Sequence, residues 1–293
     1  MIGQRLRFFE KSLGQRHIVE SDKYLYKSPK AGHNLVVIGT GTMGQEHMYV
    51  ATLLGRARIH GIYDSCAHSM DITQDNFKRY CNDPLVRYGS LQEACTDPDI
   101  DAIMICTPNH THFDILSVAM ETGKPIFLEK PMATSIEDAK SIVNACEGYK
   151  AFVQLGLQYR YKSQYVEALH ELKQRKSLGS LKTISMSEYR PPFLDKVDQW
   201  NKFNQNTGGT LVEKCCHYFD LMNLMADAAP IRVYASGGQA VNFIDFERDG
   251  AYSDIDDHAF VIVDYANDVR GNFTLNMFCH DFTEDLTLCG DVG

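Results

Sequence analysis

Asn34-Leu35-Val36-Val37-Ile38-Gly39-Thr40-Gly41-Thr42-Met43-Gly44 is an apolar run halted by a glycine-rich turn that opens a helical pattern. The run reads as a short buried strand, and the helix is expected over 42–54. Gly39 permits a tight turn, Gly41 lets a ligand come close to the backbone, and Gly44 allows helix and strand to pack closely. The N–H groups of Thr42 and Met43 would then point from a helix N-terminus toward an anion such as a pyrophosphate. A lone Gly-x-Gly-x-x-Gly is weak, and the same turn occurs in other nucleotide folds. The preceding strand and following helix give it meaning.

The next apolar run, 59–63, ends at Asp64, 20 residues past Gly44. An acid there accepts hydrogen bonds from both ribose hydroxyls and repels a 2′-phosphate. Ser65-Cys66-Ala67 offers no cation to hold such a phosphate. NAD is therefore favoured over NADP as the cofactor.

Outward from this turn, strand and helix alternate. Strands are expected at 86–88, 102–106, 126–128 and 152–155, and helices at 66–81, 91–94, 111–121 and 135–146. Short strands separated by helices predict a doubly wound parallel sheet, with right-handed crossovers and ligands beyond the strands' carboxyl ends. The second half differs. Strands are expected at 181–188, 231–236, 258–265, 269–278 and 285–288, several of them alternating, with Asn267-Asp268 as a hairpin turn. Helical pattern is confined mainly to 163–176 and 211–226. That is an α+β layer with an open, mainly antiparallel sheet.

Composition narrows the classes. The chain has 293 residues, enough for two domains. With 29 basic against 38 acidic residues its net charge is −9, which disfavours a phosphate-backbone binder. No apolar window approaches the ~18–20 residues of a membrane span. Nine scattered cysteines without a Cys-x-x-Cys pair suit a reducing compartment. A cytoplasmic location is expected. Residues 1–33 carry seven Lys/Arg against three acids and no apolar signal core. They read as a solvated extension, with organellar targeting weakly supported because Glu10, Glu20 and Asp22 are unusual there.

Two further segments carry chemistry. Thr107-Pro108-Asn109-His110-Thr111-His112 follows the fourth strand, and Glu129-Lys130-Pro131 follows the fifth, at the sheet edge where a cofactor would rest. A buried lysine beside a cationic nicotinamide would exchange protons near neutrality. On spacing alone, Lys130 is equally an ordinary surface lysine. Glu213 and His217 lie four apart on an expected helix and so would share a face. A carboxylate beside an imidazole orients it and raises its basicity, which suits a general base. The alternative is a surface ion pair. His110/His112, Cys215/Cys216/His217 and Asp254/Asp256/Asp257/His258 lack the paired spacing of a structural zinc site, and no metal is expected.

Taken in order, the glycine turn, Asp64, the Thr-Pro-Asn-x-x-His segment, Glu-Lys-Pro and Gly208-Gly209-Thr210-Leu211-Val212-Glu213 leading to His217 resemble the Gfo/Idh/MocA family of nicotinamide-dependent oxidoreductases. The resemblance covers about 34–293. It implies a Rossmann domain at 34–155 and a substrate and oligomerisation domain at 156–293, expected to be truncated at its C-terminal end. It implies that Lys130 bonds the reacting hydroxyl, that His217 is catalytic, and that Glu213 stands where many members have Asp. It places Thr107, Asn109, His112, Glu129, Arg160 and Trp200 near cofactor or substrate. Glu for Asp at 213, and Lys214-Cys215-Cys216 in place of small residues, depart from the pattern.

The implied reaction takes a secondary alcohol of a sugar, inositol or related polyol, bound between the domains. His217, oriented by Glu213 and assisted by Lys130, removes the hydroxyl proton, and hydride passes to NAD. Some relatives instead hydrolyse glycosides by transient oxidation with retained NAD, and others are dinucleotide-binding sensors. A homo-oligomer, dimer or tetramer, is expected, with no nucleic acid or membrane partner. Because the chain stops just after a strand, further strands are expected beyond Gly293 and the chain reads as a fragment.

Overall fold

The computed structural model describes residues 31–192 and 194–293. All but the last three residues of the basic extension lie outside the described residues.

The chain runs β1 (His33–Ile38), α1 (Thr42–Leu54), β2 (Ala57–Tyr63), α2 (Ala67–Phe77), β3 (Val86–Arg87), α3 (Leu91–Thr96), β4 (Ala102–Ile105), α4 (His112–Met120), β5 (Ile126–Leu128), α5 (Ile136–Glu147) and β6 (Val153–Leu155). These strands form one sheet in the order β3-β2-β1-β4-β5-β6. β1 lies parallel to β2 and β4. Val36, Val37 and Ile38 are fully buried, as expected for a strand covered on both faces. Local chemistry sets the ends of the helices. α1 stops at Gly55, whose left-handed conformation (φ 66°) lets its N–H reach the Ala51 carbonyl. Ser90 and Ser135 cap α3 and α5 by accepting from Glu93 N and Asp138 N.

The second half adds α6 (Ser163–Leu169), β7 (Leu181–Tyr189), three helices α7 (Asn204–Thr207), α8 (Thr210–Glu213) and α9 (Cys216–Ala226), then β8 (Pro230–Gly238), β9 (Glu247–Arg248), β10 (Ala251–Tyr252), β11 (His258–Tyr265), β12 (Arg270–Asn276) and β13 (Thr283–Gly290). Five strands make a sheet in the order β13-β7-β12-β11-β8. It is mixed: β7 and β12 are parallel, and the other pairs are antiparallel. β9 and β10 form a separate small hairpin that the sequence reading lacked.

One face of the five-stranded sheet is a core. Tyr218, Leu221, Met222 and Met225 from α9 cluster with Ile184, Met186, Val261, Val263 and Phe273 of the strands. On the opposite face Tyr234, Phe260 and Ile262 are exposed. The alternation along β11 is the period-two signature of a sheet covered on one side. The β11–β12 turn has three loop residues rather than two: Tyr265 N–H bonds Val269 O, and Asp268 takes a positive φ of 64°. That is the turn-plus-bulge form of a hairpin, which needs a single left-handed residue.

By compactness the chain divides into two units. One holds the chain up to Thr107, Ile115–Phe127 and Lys150–Phe152; the other holds Pro108–Asp114, Leu128–Tyr149 and Val153–Gly293. Among the described residues, no helix is long and apolar enough to cross a membrane.

Candidate active site

The glycine turn is built by exclusion of side chains. Gly39 has φ 90°, and a Cβ there would lie 2.6 Å from the carbonyl carbon of Cys106. A Cβ on Gly44 would run into the Gly39 carbonyl oxygen. Gly41 is the N-cap of α1, no side chain caps that helix, and the space where its Cβ would project is open. The first turn of α1, beginning with Thr42 and Met43, therefore has no side-chain cap from its N-cap residue. Asp64 is fixed beside the turn. Its Oδ2 accepts from Thr40 N (2.7 Å) and Thr40 Oγ1 (3.1 Å), and its Oδ1 from Cys66 N (2.9 Å). An uncapped helix start and an anchored carboxylate fit the pyrophosphate and ribose of NAD.

Around Lys130 the expected residues split into two roles. Lys130 Nζ donates to the Glu213 carbonyl at 2.9 Å. Glu129, buried, accepts from the Lys130 N–H at 3.0 Å. His112 was expected to meet the cofactor. It is fully buried, with Nδ1 2.8 Å from the Pro131 carbonyl, and so holds the loop that carries the lysine. Asn109 is likewise buried, its side-chain amide 3.5 Å from Thr207 O. Thr107 is half-buried at the end of the turn after β4.

Glu213 and His217 do not share one helix. α8 ends at Glu213, and α9 starts at Cys216. In a continuous helix the Glu213 carbonyl would accept the His217 N–H. Here it accepts Lys130, and the chain closes a tighter turn through Tyr218 N to Cys215 O (2.9 Å). The expected carboxylate–imidazole bond is absent: Glu213 Oε2 and His217 Nδ1 are both buried without a hydrogen-bond partner. Each residue is only 5% exposed. Two unsatisfied polar atoms at that depth are costly unless a ligand completes them.

The His217 ring lies against Tyr159 instead, with centroids 4.2 Å apart and planes within 11°. The pKa of His217 is pushed down to about 3, first by burial and then by the ammonium groups of Lys130, Lys214 and Lys162. Burial, with Lys130 and Arg190 nearby, also lowers Lys214 to about 8. His217 is therefore a neutral imidazole at pH 7. Arg160 is engaged by Asp220, Nε to Oδ2 2.7 Å. Trp200 accepts from Asn206 through its carbonyl at 3.0 Å, and its ring lies edge-on to His110. The acid run is structural: Asp254 accepts from Asn204 N, and Asp257 from the N–H groups of Ala240, Val241 and Asn242.

Family models match both halves: the oxidoreductase family's NAD-binding Rossmann fold over residues 33–157, and its C-terminal alpha/beta domain over 171–291. The chain belongs to the Gfo/Idh/MocA oxidoreductase family. Among curated relatives, it is 28% identical over 200 residues to the rhizopine catabolism protein MocA of Rhizobium meliloti, covering 67% of this chain and 58% of that one. It is 36% identical over 137 residues to an inositol 2-dehydrogenase of Paracoccus denitrificans, covering 44% and 38%. The chain thus spans less than two thirds of the length of these relatives. Its fold is also that of a myo-inositol dehydrogenase from Lactobacillus casei solved with NAD(H) and myo-inositol, with TM-score 0.74, 22% identity, and 89% and 72% of the two chains covered.

Sequence reasoning missed Tyr159, Lys162, Tyr218 and Glu284. Lys162 Nζ lies 3.5 Å from the centre of the Tyr159 ring and donates to both oxygens of Glu284 at 2.9 Å. Tyr218 Oη donates to the same carboxylate at 2.6 Å. The only signal was the aromatic and basic run Tyr159-Arg160-Tyr161-Lys162, which Arg160 drew away from its neighbours.

Proposed function

We propose that the chain is an NAD-dependent dehydrogenase that oxidises a secondary alcohol of a sugar, inositol or related polyol. The pair of buried, unpartnered atoms, Glu213 Oε2 and His217 Nδ1, close to the Lys130 ammonium, carries this reading. Relatives named inositol 2-dehydrogenase support the polyol class.

When bound, NAD supplies the hydride acceptor. The glycine turn would hold its pyrophosphate and Asp64 its adenosine ribose, which favours NAD over NADP. Lys130 donates a hydrogen bond to the reacting oxygen and stabilises charge on it. His217 takes the hydroxyl proton at its unpartnered nitrogen. As hydride departs, that proton becomes strongly acidic, so an imidazole with a depressed pKa suffices. Glu213 accepts from a neighbouring hydroxyl and fixes the ring of the polyol. Nine free cysteines support a reducing compartment such as the cytoplasm. The exposed Tyr234, Phe260 and Ile262 support a homo-oligomer formed through the open sheet face.

The test is incubation with NAD and a panel of inositols and sugars, following NADH by absorbance. Turnover is expected with at least one polyol. Lys130→Met should lower it by roughly a thousandfold or more while NAD affinity stays within about twofold. Measurable NAD binding without NADH from any polyol would overturn the assignment in favour of a hydrolase or a sensor.

A further inference from the structure

His217 lacks the carboxylate partner that usually orients a catalytic imidazole, yet its ring is stacked nearly parallel to another. An imidazole in a buried pocket has two-fold freedom about its terminal torsion, and something must fix it. Glu213 does not, since its Oε2 and His217 Nδ1 are both unpartnered. The Tyr159 ring does, at 4.2 Å and 11°. Tyr159 is held in turn. Lys162 sits 3.5 Å from its ring centre, Tyr218 meets it edge-on with centroids 5.5 Å apart, and Tyr165 packs parallel at 6.1 Å. Glu284 of β13 anchors both Lys162 and the Tyr218 hydroxyl. The chain of contacts is Glu284 to Lys162 to Tyr159 to His217. The links are a salt bridge with side chains 29% and 10% exposed, a cation over an aromatic face, and a parallel ring stack, each modest alone and acting in series on one ring.

We propose that Tyr159 and Lys162 are the positioning residues of His217, an aromatic stack clamped by a cation taking the place of an orienting carboxylate. This rests on His217 acting as the proton acceptor. The clamp also has an electrostatic consequence. Lys162, with Lys130 and Lys214, opposes a charge on the imidazole and keeps it in the proton-accepting form. Removing the Tyr159 ring frees the imidazole to rotate, so the reacting nitrogen is aligned for only part of the time. That lowers kcat and leaves substrate affinity nearly unchanged.

The experiment uses the full chain with 13C-labelled histidine, the His217 signals being identified by their loss in His217→Gln. In the wild type those ring signals are displaced upfield by the ring current of Tyr159. In Tyr159→Leu the displacement disappears and kcat falls about tenfold or more with KM within about twofold, whereas Tyr159→Phe retains both. Lys162→Gln reduces the displacement, and Lys162→Arg preserves it. Wild-type His217 signals without an upfield displacement, or Tyr159→Leu with unchanged kcat, would overturn the clamp. Because the ring-current reading needs no turnover, it separates this outcome from failure of the base assignment, which full activity in His217→Gln would signal.

Discussion

The glycine turn at residues 39–44 works through backbone, whereas the 213–217 junction works through side chains delivered from distant segments. At the turn, a missing Cβ on Gly39 and Gly44 lets strand and helix close, and an uncapped helix start supplies the donors. At the junction, Lys130 comes from after β5, Tyr159 and Lys162 from before α6, and Glu284 from β13. A backbone device depends on its glycines and on the few side chains, such as Asp64, that anchor it. A side-chain cluster fails whenever one contributor is lost, and its electrostatics are set collectively. The two regions should therefore break in different ways.

The largest expected effect lies at the junction and is read through pH. His217 has an ordinary pKa near 6.5 and a folded-state value of about 3, lowered first by burial and then by Lys130, Lys214 and Lys162. The unfolded chain binds this proton more readily than the folded one. Stability therefore rises with pH between about 3 and 6.5, is complete above that window, and is lost as pH falls through it. The loss from this one group is on the order of a few kcal/mol at the acid end. Urea unfolding from pH 4.5 to 8 should show a shallower acid decline in His217→Gln than in the wild type. Parallel profiles would mean that the imidazole is not held neutral.

Gly44→Ala probes the other region. Its new Cβ meets the Gly39 carbonyl oxygen, so α1 must shift away from the turn. The expected cost is about 1–3 kcal/mol of stability together with a clear loss of NAD affinity. A thermal melt and an NAD titration check it. Because His217 is untouched, this variant should keep the wild-type dependence of stability on pH, unlike His217→Gln.

The same contrast explains what could be read in advance. The turn and the sheet around it were legible because strand, glycines, helix and Asp64 are close in sequence, and each has a local physical requirement. The second sheet was legible as alternation. Its parallel β7–β12 pairing was not, because pairing partners are set by topology and not by period. At the junction, Glu213 and His217 were found by type and spacing, but their relation was misjudged. Helical periodicity continues smoothly over 211–226, and nothing local shows that Lys130, 83 residues earlier, takes the Glu213 carbonyl. The joint role of Tyr159, Lys162 and Glu284 was hidden for the same reason, since Glu284 lies more than a hundred residues from Lys162.

Asp64→Ala sharpens the comparison at a smaller scale. The carboxylate serves the turn twice, accepting from Thr40 and offering an acceptor to a ribose. Its removal should weaken NAD binding by about tenfold or more and narrow the preference over NADP, with kcat at saturation nearly unchanged. Dissociation constants for both dinucleotides check this. An unchanged ratio would mean that Asp64 only stabilises the turn.

The smallest effect is expected at Arg160, where family resemblance and geometry disagree. The resemblance puts this arginine near cofactor or substrate. The structure pairs its guanidinium with Asp220, with side chains 44% and 15% exposed. A partly exposed pair of this kind contributes at most about 1 kcal/mol, because solvent screens it and both side chains lose freedom in forming it. If the pairing is its whole role, Arg160→Ala should lower stability slightly and leave NAD affinity and KM within about twofold. If Arg160 instead leaves Asp220 to meet a bound ligand, the variant should lose about tenfold or more in one of those constants. In that case Asp220→Asn, which frees the guanidinium without removing it, should tighten the same constant. The two variants moving in opposite directions would make Arg160 a binding residue restrained by Asp220, and the two moving together in stability alone would confine it to the scaffold.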